Sequence, residues 1–281
     1  MTANRKRKQR VRARVAKTGE SYTAALRHLQ RQQEMQMRTY QLDQAGRTDI
    51  GNVRSVNEDK LLAEGDLFVV ADGMGGQGHG EVAANLAIST IRAEFASQPT
   101  EAGLLGAVSA ANETVYQQGQ AGGSEKPFGT TIAAVAAVAN RSDGAGSDEK
   151  LAVANVGDSS VYHLRDAKLT QLSHDHSRVA DMARSGALSD DEAAVHPNRH
   201  ILTMALGGGP SVDPHLTTIE PLAGDRLLLC SDGLFNELPG TEIADVLNEV
   251  PGADQAADQL VALAKDNGGN DNITVVVINI N

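Results

Sequence analysis

Four aspartates in this sequence stand directly beside apolar, strand-like runs. They are Asp72 after the run 67–71, Asp158 after 151–157, Asp232 after 227–231 and Asp271 ahead of 273–278. A carboxylate at the end of a buried strand is fixed at the rim of a sheet, and several such carboxylates brought together repel one another unless a cation lies between them. Carboxylate, carbonyl and water oxygens are the usual ligands of hard divalent cations such as Mg²⁺ and Mn²⁺. The pattern therefore predicts a metal-dependent enzyme.

The charges are divided unevenly along the chain. Residues 1–40 hold 11 of the 25 Lys and Arg residues and only two of the 36 acids, so residues 41–281 carry 14 basic and 34 acidic residues, a net charge of −20. A body this acidic is expected to bind nucleic acid poorly. The absence of Trp and an aromatic content of 3% also argue against a surface on which bases stack.

Length and cysteine content bound the class of protein. The chain has 281 residues, enough for one large domain or two small ones, and 41% of them are hydrophobic, which allows a sizeable core. The single cysteine, Cys230, gives no disulfide framework and no zinc cluster, as fits a reducing cytoplasm. No apolar stretch reaches the roughly 18 residues that span a bilayer, and no apolar segment follows the basic N-terminus as in a signal peptide. We expect a cytoplasmic protein without a transmembrane segment, and by default a monomer.

We interpret residues 1–44 as an extension of a catalytic body formed by residues 45–281. The first 20 residues form a basic run, which is usually disordered or a solvated helix. Ser21 is placed to cap a helix that continues to about Tyr40. The simplest interpretation is a solvated, partly helical tail, and the functional alternative is contact with an acidic partner or an anionic surface.

The body contains more strand-like than helical segments. Strand-like runs occur at 61–71, 129–139, 150–156, 159–164, 215–219, 225–231 and 273–280, and helical patterns at 80–97, 101–118, 241–250 and 253–266. The turn-rich segment 140–149 lies between two strand runs and predicts a hairpin. Strands joined by short turns dominate the middle of the chain, which favours an α+β fold with largely antiparallel sheets over a doubly wound parallel sheet.

Six sequence blocks carry a resemblance to a known family. They are Asp49-Ile50-Gly51 with Arg54–Asp59, Val70–Gly76, Gly129-Thr130-Thr131, Val156–Ser159, Cys230–Leu234 and Gly269–Thr274. In their order and approximate spacing they resemble the metal-dependent protein serine/threonine phosphatases, the PPM or type 2C family, and most closely its bacterial branch. The resemblance covers roughly residues 45–281. It implies a four-layer sandwich of two antiparallel β-sheets flanked by helices.

The resemblance also implies how two core metal ions, Mn²⁺ or Mg²⁺, would be held. Asp72 is expected to bridge the two ions. Asp232 and Asp271 would complete the site of the first ion, while Glu58 and the carbonyl of Gly73 would hold the second. Two such ions roughly 3.5–4 Å apart lower the pKa of a shared water, so that hydroxide exists near neutral pH.

The remaining roles concern a third ion and the substrate. Asp158, together with Asp232, is expected to hold the third, weaker ion of bacterial members. Arg54 would grip the phosphate, since guanidinium binds phosphate bidentately, and Asp59 would orient the attacking water. The implied substrates are proteins phosphorylated on Ser or Thr by a bacterial Ser/Thr kinase. Segment 176–207 matches the variable flap of the family, where the resemblance places substrate choice.

The proton donor for the leaving group stays open. Eukaryotic members carry a histidine directly after the Asp-Gly pair, whereas this chain has Met74, which cannot donate a proton. Bacterial members commonly share that substitution, so it does not predict loss of activity. His79, His174 and His176 are candidates, as is a water on the third ion.

Other functions remain as alternatives at this stage. A two-metal site would also serve a hydrolase of small phosphoesters, and a phosphatase-like domain can act as a non-catalytic regulator. A third alternative is a nucleic-acid or membrane-surface binder that works through residues 1–40. A thiol mechanism is disfavoured, because Asn236 stands where a loop built on Cys230 would need an arginine. Cys230 is better interpreted as a core residue.

Overall fold

The chain divides into two units in this computed structural model, residues 1–41 and residues 42–281. The structure describes residues 3–26, 28–29, 40–75, 78–121, 128–140, 148–189, 192–193 and 196–281. The body begins with a strand at Leu42, whereas the sequence placed its start at residue 45. The strand was missed because its sequence is mostly polar and only Ala45 is buried.

The described part of the first unit is helical. The basic run forms helix α1 (Ala3–Thr18), and residues 22–26 are helical as well. Ser21 caps this second helix as predicted, since its Oγ accepts a 3.2 Å hydrogen bond from the amide of Ala24. Most of the predicted continuation to Tyr40, residues 27 and 30–39, lies outside the described residues.

The body contains twelve named strands and six named helices in its described residues. The strands are β1 (Leu42–Asp49), β2 (Lys60–Glu64), β3 (Leu67–Ala71), β4 (Gly73–Met74), β5 (Gly129–Thr130), β6 (Ile132–Asn140), β7 (Asp148–Val156), β8 (Ser160–Arg165), β9 (Lys168–Gln171), β10 (His215–Ile219), β11 (Arg226–Cys230) and β12 (Ile273–Ile280). The helices are α2 (His79–Ser97), α3 (Glu101–Ala121), α4 (Arg178–Arg184), α5 (Asp232–Phe235), α6 (Gly240–Glu249) and α7 (Ala253–Asp266).

Two five-stranded antiparallel sheets form the centre of the body. Their strand orders are β1-β12-β11-β8-β9 and β10-β7-β6-β3-β2, and a small pair β4-β5 lies apart. Strands of the two sheets contact each other, β11 with β6 and β12 with β3. Helices α2 and α3 contribute to one apolar core with the second sheet, and α6 and α7 to another core with the first sheet. The predicted α+β sandwich of two antiparallel sheets flanked by helices is confirmed.

The central strands are apolar on both faces because both faces are covered. All five residues of β3, all five of β11 and all eight of β12 are buried. A strand between a facing sheet and a helix layer has no solvent side, so its sequence does not alternate between apolar and polar residues. These continuous runs are the reason that the strands beside the four aspartates were recognisable from sequence.

Three sequence assignments need correction or completion. The run 61–71 is two strands joined at Gly65 and Asp66, where Gly65 has a φ of 58° that suits a two-residue hairpin turn. β1 and β9 were not predicted, since both lie at sheet edges and expose polar residues. The hairpin predicted around 140–149 is confirmed, because β6 and β7 pair antiparallel on either side of it.

Among the described helices, none is both long and apolar enough to cross a bilayer.

Candidate metal centre

Five aspartates meet at one edge of the two sheets. We call them the carboxylate cluster: Asp59 ahead of β2, Asp72 after β3, Asp158 after β7, Asp232 after β11 and Asp271 ahead of β12. The negative charges of the other four members act on the carboxyl of Asp72. The structure therefore brings together the four aspartates beside strand-like runs and Asp59, which the resemblance also named as a site residue. The cluster spans both sheets, so it can exist only in the assembled sandwich.

Burial and like charge make the ionised forms of these groups unfavourable. Burial, and then the neighbouring carboxylates, raise the pKa of Asp72 well above its usual value. The same causes raise the pKa of Asp59 to about 7, and hydrogen bonds from Ser231 and Thr274 oppose that rise. Burial, followed by the charges of Asp232 and Asp175, raises the pKa of Asp158 to about 8. A divalent cation would remove this penalty, because it stabilises the charged forms directly.

The donor set fits a hard cation. Oδ1 of Asp232 is buried and has no hydrogen-bond partner among the described residues, and a buried polar atom without a partner is destabilising unless something else occupies its lone pairs. Within the described ranges, no three carboxylate, thiolate or imidazole groups converge closely enough to enclose one ion by themselves. The three carboxylates that the resemblance assigns to the first ion, Asp72, Asp232 and Asp271, would therefore have to come closer together when that ion binds.

A close backbone crossing sets the position of Gly73. A Cβ on Gly73 would lie 2.2 Å from the carbonyl oxygen of Gly80 and 2.6 Å from that of Glu58. The side chain of Glu58 is also fixed there, since its Oε1 accepts a 3.0 Å hydrogen bond from the amide of Gly80. Glu58 and Gly73, which the resemblance assigns to one ion, are thus neighbours, and only glycine fits at position 73.

Asp59 is held in the interior by hydroxyl groups. It is 1% exposed, and Ser231 Oγ donates a 2.7 Å hydrogen bond to its Oδ2. Ser231 also ties Asp59 to the next strand, because its Oγ accepts a 3.0 Å hydrogen bond from the amide of Thr274. Asp59 therefore has a fixed orientation beside Asp232 and Asp271, whose charges it experiences.

Arg54 lies at the edge of the cluster. Its Nη2 is 2.5 Å from Oδ2 of Asp271, and its side chain is 55% exposed. The charges of Asp271, Asp232 and Asp72 all favour its protonated form, so its pKa is raised, with the hydrogen bond to Asp271 as the largest cause. Arg54 is the candidate cation nearest to these carboxylates and remains accessible to a phosphate.

Asn272 organises this region in a way that sequence reasoning missed. Its Nδ2 donates 3.0 Å hydrogen bonds to the carbonyls of Ile50 and Val56, and its Oδ1 accepts a 2.8 Å bond from the amide of Glu58. One side chain therefore fixes the loop that carries Arg54 and Glu58 against β12. The signal was the position of Asn272 between Asp271 and a strand, but the partners lie more than 200 residues away.

Thr130 and Thr131 position Asp72. The carbonyl of Asp72 accepts hydrogen bonds from the Thr131 amide at 2.9 Å and from Thr130 Oγ1 at 2.8 Å. The amide of Asp72 donates to Thr131 Oγ1 at 3.1 Å. The block Gly129-Thr130-Thr131 had been noted in the sequence without a role, and the structure supplies one.

The histidines named from the sequence differ in their surroundings. His176 is buried, with Nδ1 3.2 Å from the amide of Gly157, and burial lowers its pKa, so it is neutral near pH 7. Its ring contacts His174 at a centroid distance of 5.0 Å, while His79 lies 6.4 Å from Phe128. A fourth histidine, His200, was missed: its Nδ1 is 3.8 Å from Asp232 Oδ2.

The thiol of Cys230 does not take part in this site. Cys230 is fully buried, and burial raises the pKa of its thiol far above neutrality. A nucleophilic cysteine needs thiolate character and access to substrate. Cys230 therefore belongs to the core, as the sequence indicated.

A two-sheet sandwich with a carboxylate cluster at its edge defines a metal-dependent class of enzymes, and comparisons with known proteins identify the family. The protein phosphatase 2C family profile matches residues 51–270. The serine/threonine protein phosphatase PstP of Mycobacterium tuberculosis is 38% identical over 245 residues, which cover 86% of this chain and 46% of PstP. The chain thus spans about half the length of that curated relative.

Solved structures give the same result. The PPM Ser-Thr phosphatase MsPP of Mycobacterium smegmatis, solved with cacodylate, has a TM-score of 0.75 and 42% identity over 84% of this chain and 97% of its own. The catalytic domain of PstP, solved with two manganese ions, has a TM-score of 0.75 and 36% identity over 86% and 99%. The chain belongs to the protein phosphatase 2C family, which confirms the resemblance.

Proposed function

We propose that this protein hydrolyses phosphoserine and phosphothreonine in proteins, using water activated at a site for two or three Mn²⁺ or Mg²⁺ ions. The observation that carries the proposal is the carboxylate cluster, buried across both sheets, with the accessible guanidinium of Arg54 at its edge. Family membership supports the reaction class, and the two manganese ions in the PstP catalytic domain support the choice of metal.

The metal ligands we propose are those expected from the family. Asp72, Asp232 and Asp271 would hold one core ion, and Asp72, Glu58 and the carbonyl of Gly73 would hold the other. The partnerless Oδ1 of Asp232 and the proximity of Glu58 to Gly73 support this assignment. When bound, the ions would lower the pKa of water and neutralise charge on the phosphate oxygens.

The chain's other residues bind the phosphate and orient the water. Arg54 holds the phosphate through charge-assisted hydrogen bonds. Asp59, fixed by Ser231, orients the attacking water, which adds to phosphorus as the bond to the serine or threonine oxygen breaks. Asp158 is proposed to hold a third ion with Asp232, whose charge acts on it. The proton taken by the leaving oxygen is not assigned to a side chain.

Phosphate release from a phosphothreonine peptide and from p-nitrophenyl phosphate tests the proposal, first with Mn²⁺ and then with excess EDTA. Metal-dependent release from both, with the peptide favoured at equal concentration, is the expected result. Release from the small ester alone would instead support a small-molecule phosphatase. No release from a folded protein that binds Mn²⁺ would support a non-catalytic regulator.

We further propose that the tail, residues 1–44, contacts an acidic partner or anionic surface. Helix α1 holds eight Lys and Arg residues and no acid within Ala3–Thr18. Removal of residues 1–41, the part of the tail ahead of β1, is expected to leave turnover of a short peptide unchanged. It should abolish binding to vesicles rich in anionic lipid, a binding that in the full chain weakens steeply with salt. Salt-independent or tail-independent binding would contradict this role.

The natural substrates are proposed to be proteins phosphorylated by a Ser/Thr kinase, and the protein to be a cytoplasmic monomer. Phosphopeptide enrichment from cells with and without the active protein should show Ser/Thr sites that accumulate when it is missing. Light scattering and cell fractionation test the monomer and the location.

A further inference from the structure

Asp232 and Asp271 reach the carboxylate cluster from different parts of the chain. Asp232 is the first residue of α5, a helix of four residues that follows β11, and Asp271 lies in the turn between α7 and β12. Both aspartates are proposed ligands of one metal ion, and a metal site functions only when its ligands are held close to their binding geometry. The contacts that join these two segments therefore bear on metal affinity.

The side chain of Glu237 joins the two segments. Its Oε1 accepts hydrogen bonds from the amide of Asn270 at 2.9 Å and from Asn270 Nδ2 at 2.8 Å. Asn270 directly precedes Asp271 in the chain. A third hydrogen bond runs from Asn267 Nδ2 to the carbonyl of Glu237 at 3.2 Å. Glu237, which stands shortly after α5, thus attaches the turn that carries Asp271 to the helix that begins with Asp232.

The backbone of the turn leaves room for this glutamate. Gly268 has a φ of 147°, and a Cβ at this position would lie 2.7 Å from Oε2 of Glu237 and 2.8 Å from Nδ2 of Asn270. A side chain at position 268 would therefore displace the glutamate or the asparagine. The contact between Glu237 and Asn270 needs glycine at this position.

The other side of the turn is held independently of Glu237. The amide of Asn52 donates a 2.7 Å hydrogen bond to the carbonyl of Gly269. Asn52 Nδ2 donates to the carbonyls of Lys265 at 2.7 Å and Gly268 at 3.1 Å. Loss of the Glu237 side chain leaves these bonds in place. The turn would stay attached to the body, but its side-chain link to α5 would be gone.

We propose that Glu237 is a positioning residue that limits the distance between Asp271 and Asp232 before their shared metal ion binds. The proposal rests on the metal ligands of the proposed function. Glu237 lines the same cavity as Asp158 and Asp232, so the link lies beside the cluster. Ligands that are already ordered bind an ion more tightly than ligands that the ion must first order, because ordering costs conformational free energy.

Calorimetric titration of metal-free protein with Mn²⁺ tests the proposal without any turnover. Glu237→Ala should weaken binding of the ion held by Asp232 and Asp271 by roughly 10-fold, the lower end of the effect of losing an outer-shell partner. The ion held with Glu58 should keep its affinity. Asp271→Asn, which removes a proposed ligand, identifies the binding step that belongs to the first ion.

Two further variants separate the hydrogen bonds from the mere presence of a side chain. Glu237→Gln should restore most of the native affinity, because an amide oxygen can still accept the hydrogen bonds from Asn270. Asn270→Ala removes one of the two bonds to Oε1, so it should weaken the same ion by a smaller factor, and it serves as the test if Glu237→Ala does not fold. Glu249→Ala, at an exposed residue that ends α6, is the control and should bind both ions like the native protein.

Steady-state kinetics with a phosphothreonine peptide supply a second readout. Glu237→Ala should need about 10-fold more Mn²⁺ for half-maximal turnover. At saturating Mn²⁺, its kcat and its KM for the peptide should equal those of the native protein, because the ion then orders the turn itself. The melting temperature of each metal-free variant shows whether the fold has been weakened in general.

The outcomes distinguish this proposal from the proposed function. Native Mn²⁺ affinity in Glu237→Ala or Asn270→Ala would overturn the positioning role and leave the phosphatase assignment standing. An equal loss for both ions, together with a lower melting temperature, would overturn it as well, because it would show a general structural role. Absence of hydrolysis in native protein that binds Mn²⁺ would overturn the phosphatase assignment, and the titrations would still decide the role of Glu237.

Discussion

Arg54 Nη2 lies 2.5 Å from Oδ2 of Asp271, so the residue proposed to grip phosphate is paired with a residue proposed to bind metal. A metal ion bound at Asp271 would compete with this guanidinium for the same carboxylate oxygen. Metal binding would therefore free Arg54 for the substrate phosphate, so the proposed roles predict that the metal binds before the substrate.

Arg54→Ala is expected to raise KM for a phosphothreonine peptide by roughly 10–100-fold, the scale of hydrogen bonds to a charged group, with a smaller change in kcat. The same variant should bind Mn²⁺ at least as tightly as the native protein, because a competing cation is gone. Steady-state kinetics and calorimetric titration with Mn²⁺ measure the two effects. Arg92→Ala, at an exposed arginine paired with Glu64, is the control, and an unchanged KM in Arg54→Ala would refute phosphate binding by Arg54.

Asp232→Asn should reduce Mn²⁺-dependent turnover by at least ~100-fold, beyond the effect of losing an outer-shell partner, while the fold stays intact. The metal-free variant should melt no lower than the native protein, because Oδ1 of Asp232 has no hydrogen-bond partner in the described part of the chain and one of several repelling charges disappears. The rise in melting temperature on adding Mn²⁺ should shrink, since that rise reflects binding to the folded state. Asp245→Asn, at an exposed residue of α6, should change neither quantity. Near-normal turnover in Asp232→Asn would refute the metal assignment.

Metal-free protein should lose stability as pH rises from about 6.5 to about 8. In the folded state the pKa values of Asp59 and Asp158 are raised to about 7 and about 8, from 3.8. In this range the folded state binds more protons than the unfolded state, so the free energy of unfolding falls with increasing pH. Urea unfolding in EDTA measures the slope.

The same slope should flatten in Asp158→Asn, which cannot titrate, and when Mn²⁺ is present, because bound cations favour the ionised carboxylates in the folded state. The predicted fall in stability begins above the pH range in which His176 and His215 titrate. Burial lowers the pKa values of these two histidines, so their titration makes the protein more stable as the pH rises. A stability of metal-free protein that stays constant or rises with pH would contradict a buried, mutually repelling cluster.

Gly73→Ala should destabilise the protein and impair Mn²⁺ binding. The new Cβ would lie 2.2 Å from the carbonyl oxygen of Gly80, so the backbone beside Asp72 and Glu58 must move. Overpacking of this kind costs typically about 1–3 kcal/mol. Gly106→Ala in α3 is the control: its Cβ meets nothing within 4 Å, and alanine favours the helix by roughly 1 kcal/mol. Denaturant unfolding with and without Mn²⁺ compares them, and equal stability of the two variants would show that the crossing at Gly73 is not tight.

The sequence predicted the strands that are buried on both faces and missed those at the edges. β12 was located residue for residue because six of the eight residues of Ile273–Ile280 are apolar. β1 and β9 were not predicted, because an edge strand depends on its pairing partner more than on its own composition. The turn at Gly65 was overlooked although Glu64, Gly65 and Asp66 interrupt the apolar run, as a two-residue hairpin turn does.

The candidate site also contains residues that the neighbouring sequence reveals and contacts that join residues far apart in the chain. The aspartates at strand ends could be found from the local sequence, and the resemblance implied a role for each of them. The hydrogen bond from Ser231 to Asp59 spans 172 residues, and no local pattern encodes it.

Strand β12 lies between β1 and β11 in its sheet, and it is formed by residues 273–280. During synthesis on the ribosome, β1 emerges early and must wait for a partner more than 200 residues downstream. Asp271, which completes the carboxylate cluster, and Asn272, which fixes the loop of Arg54, emerge directly ahead of that partner. The cluster therefore cannot assemble until almost all of residues 42–281 have been translated.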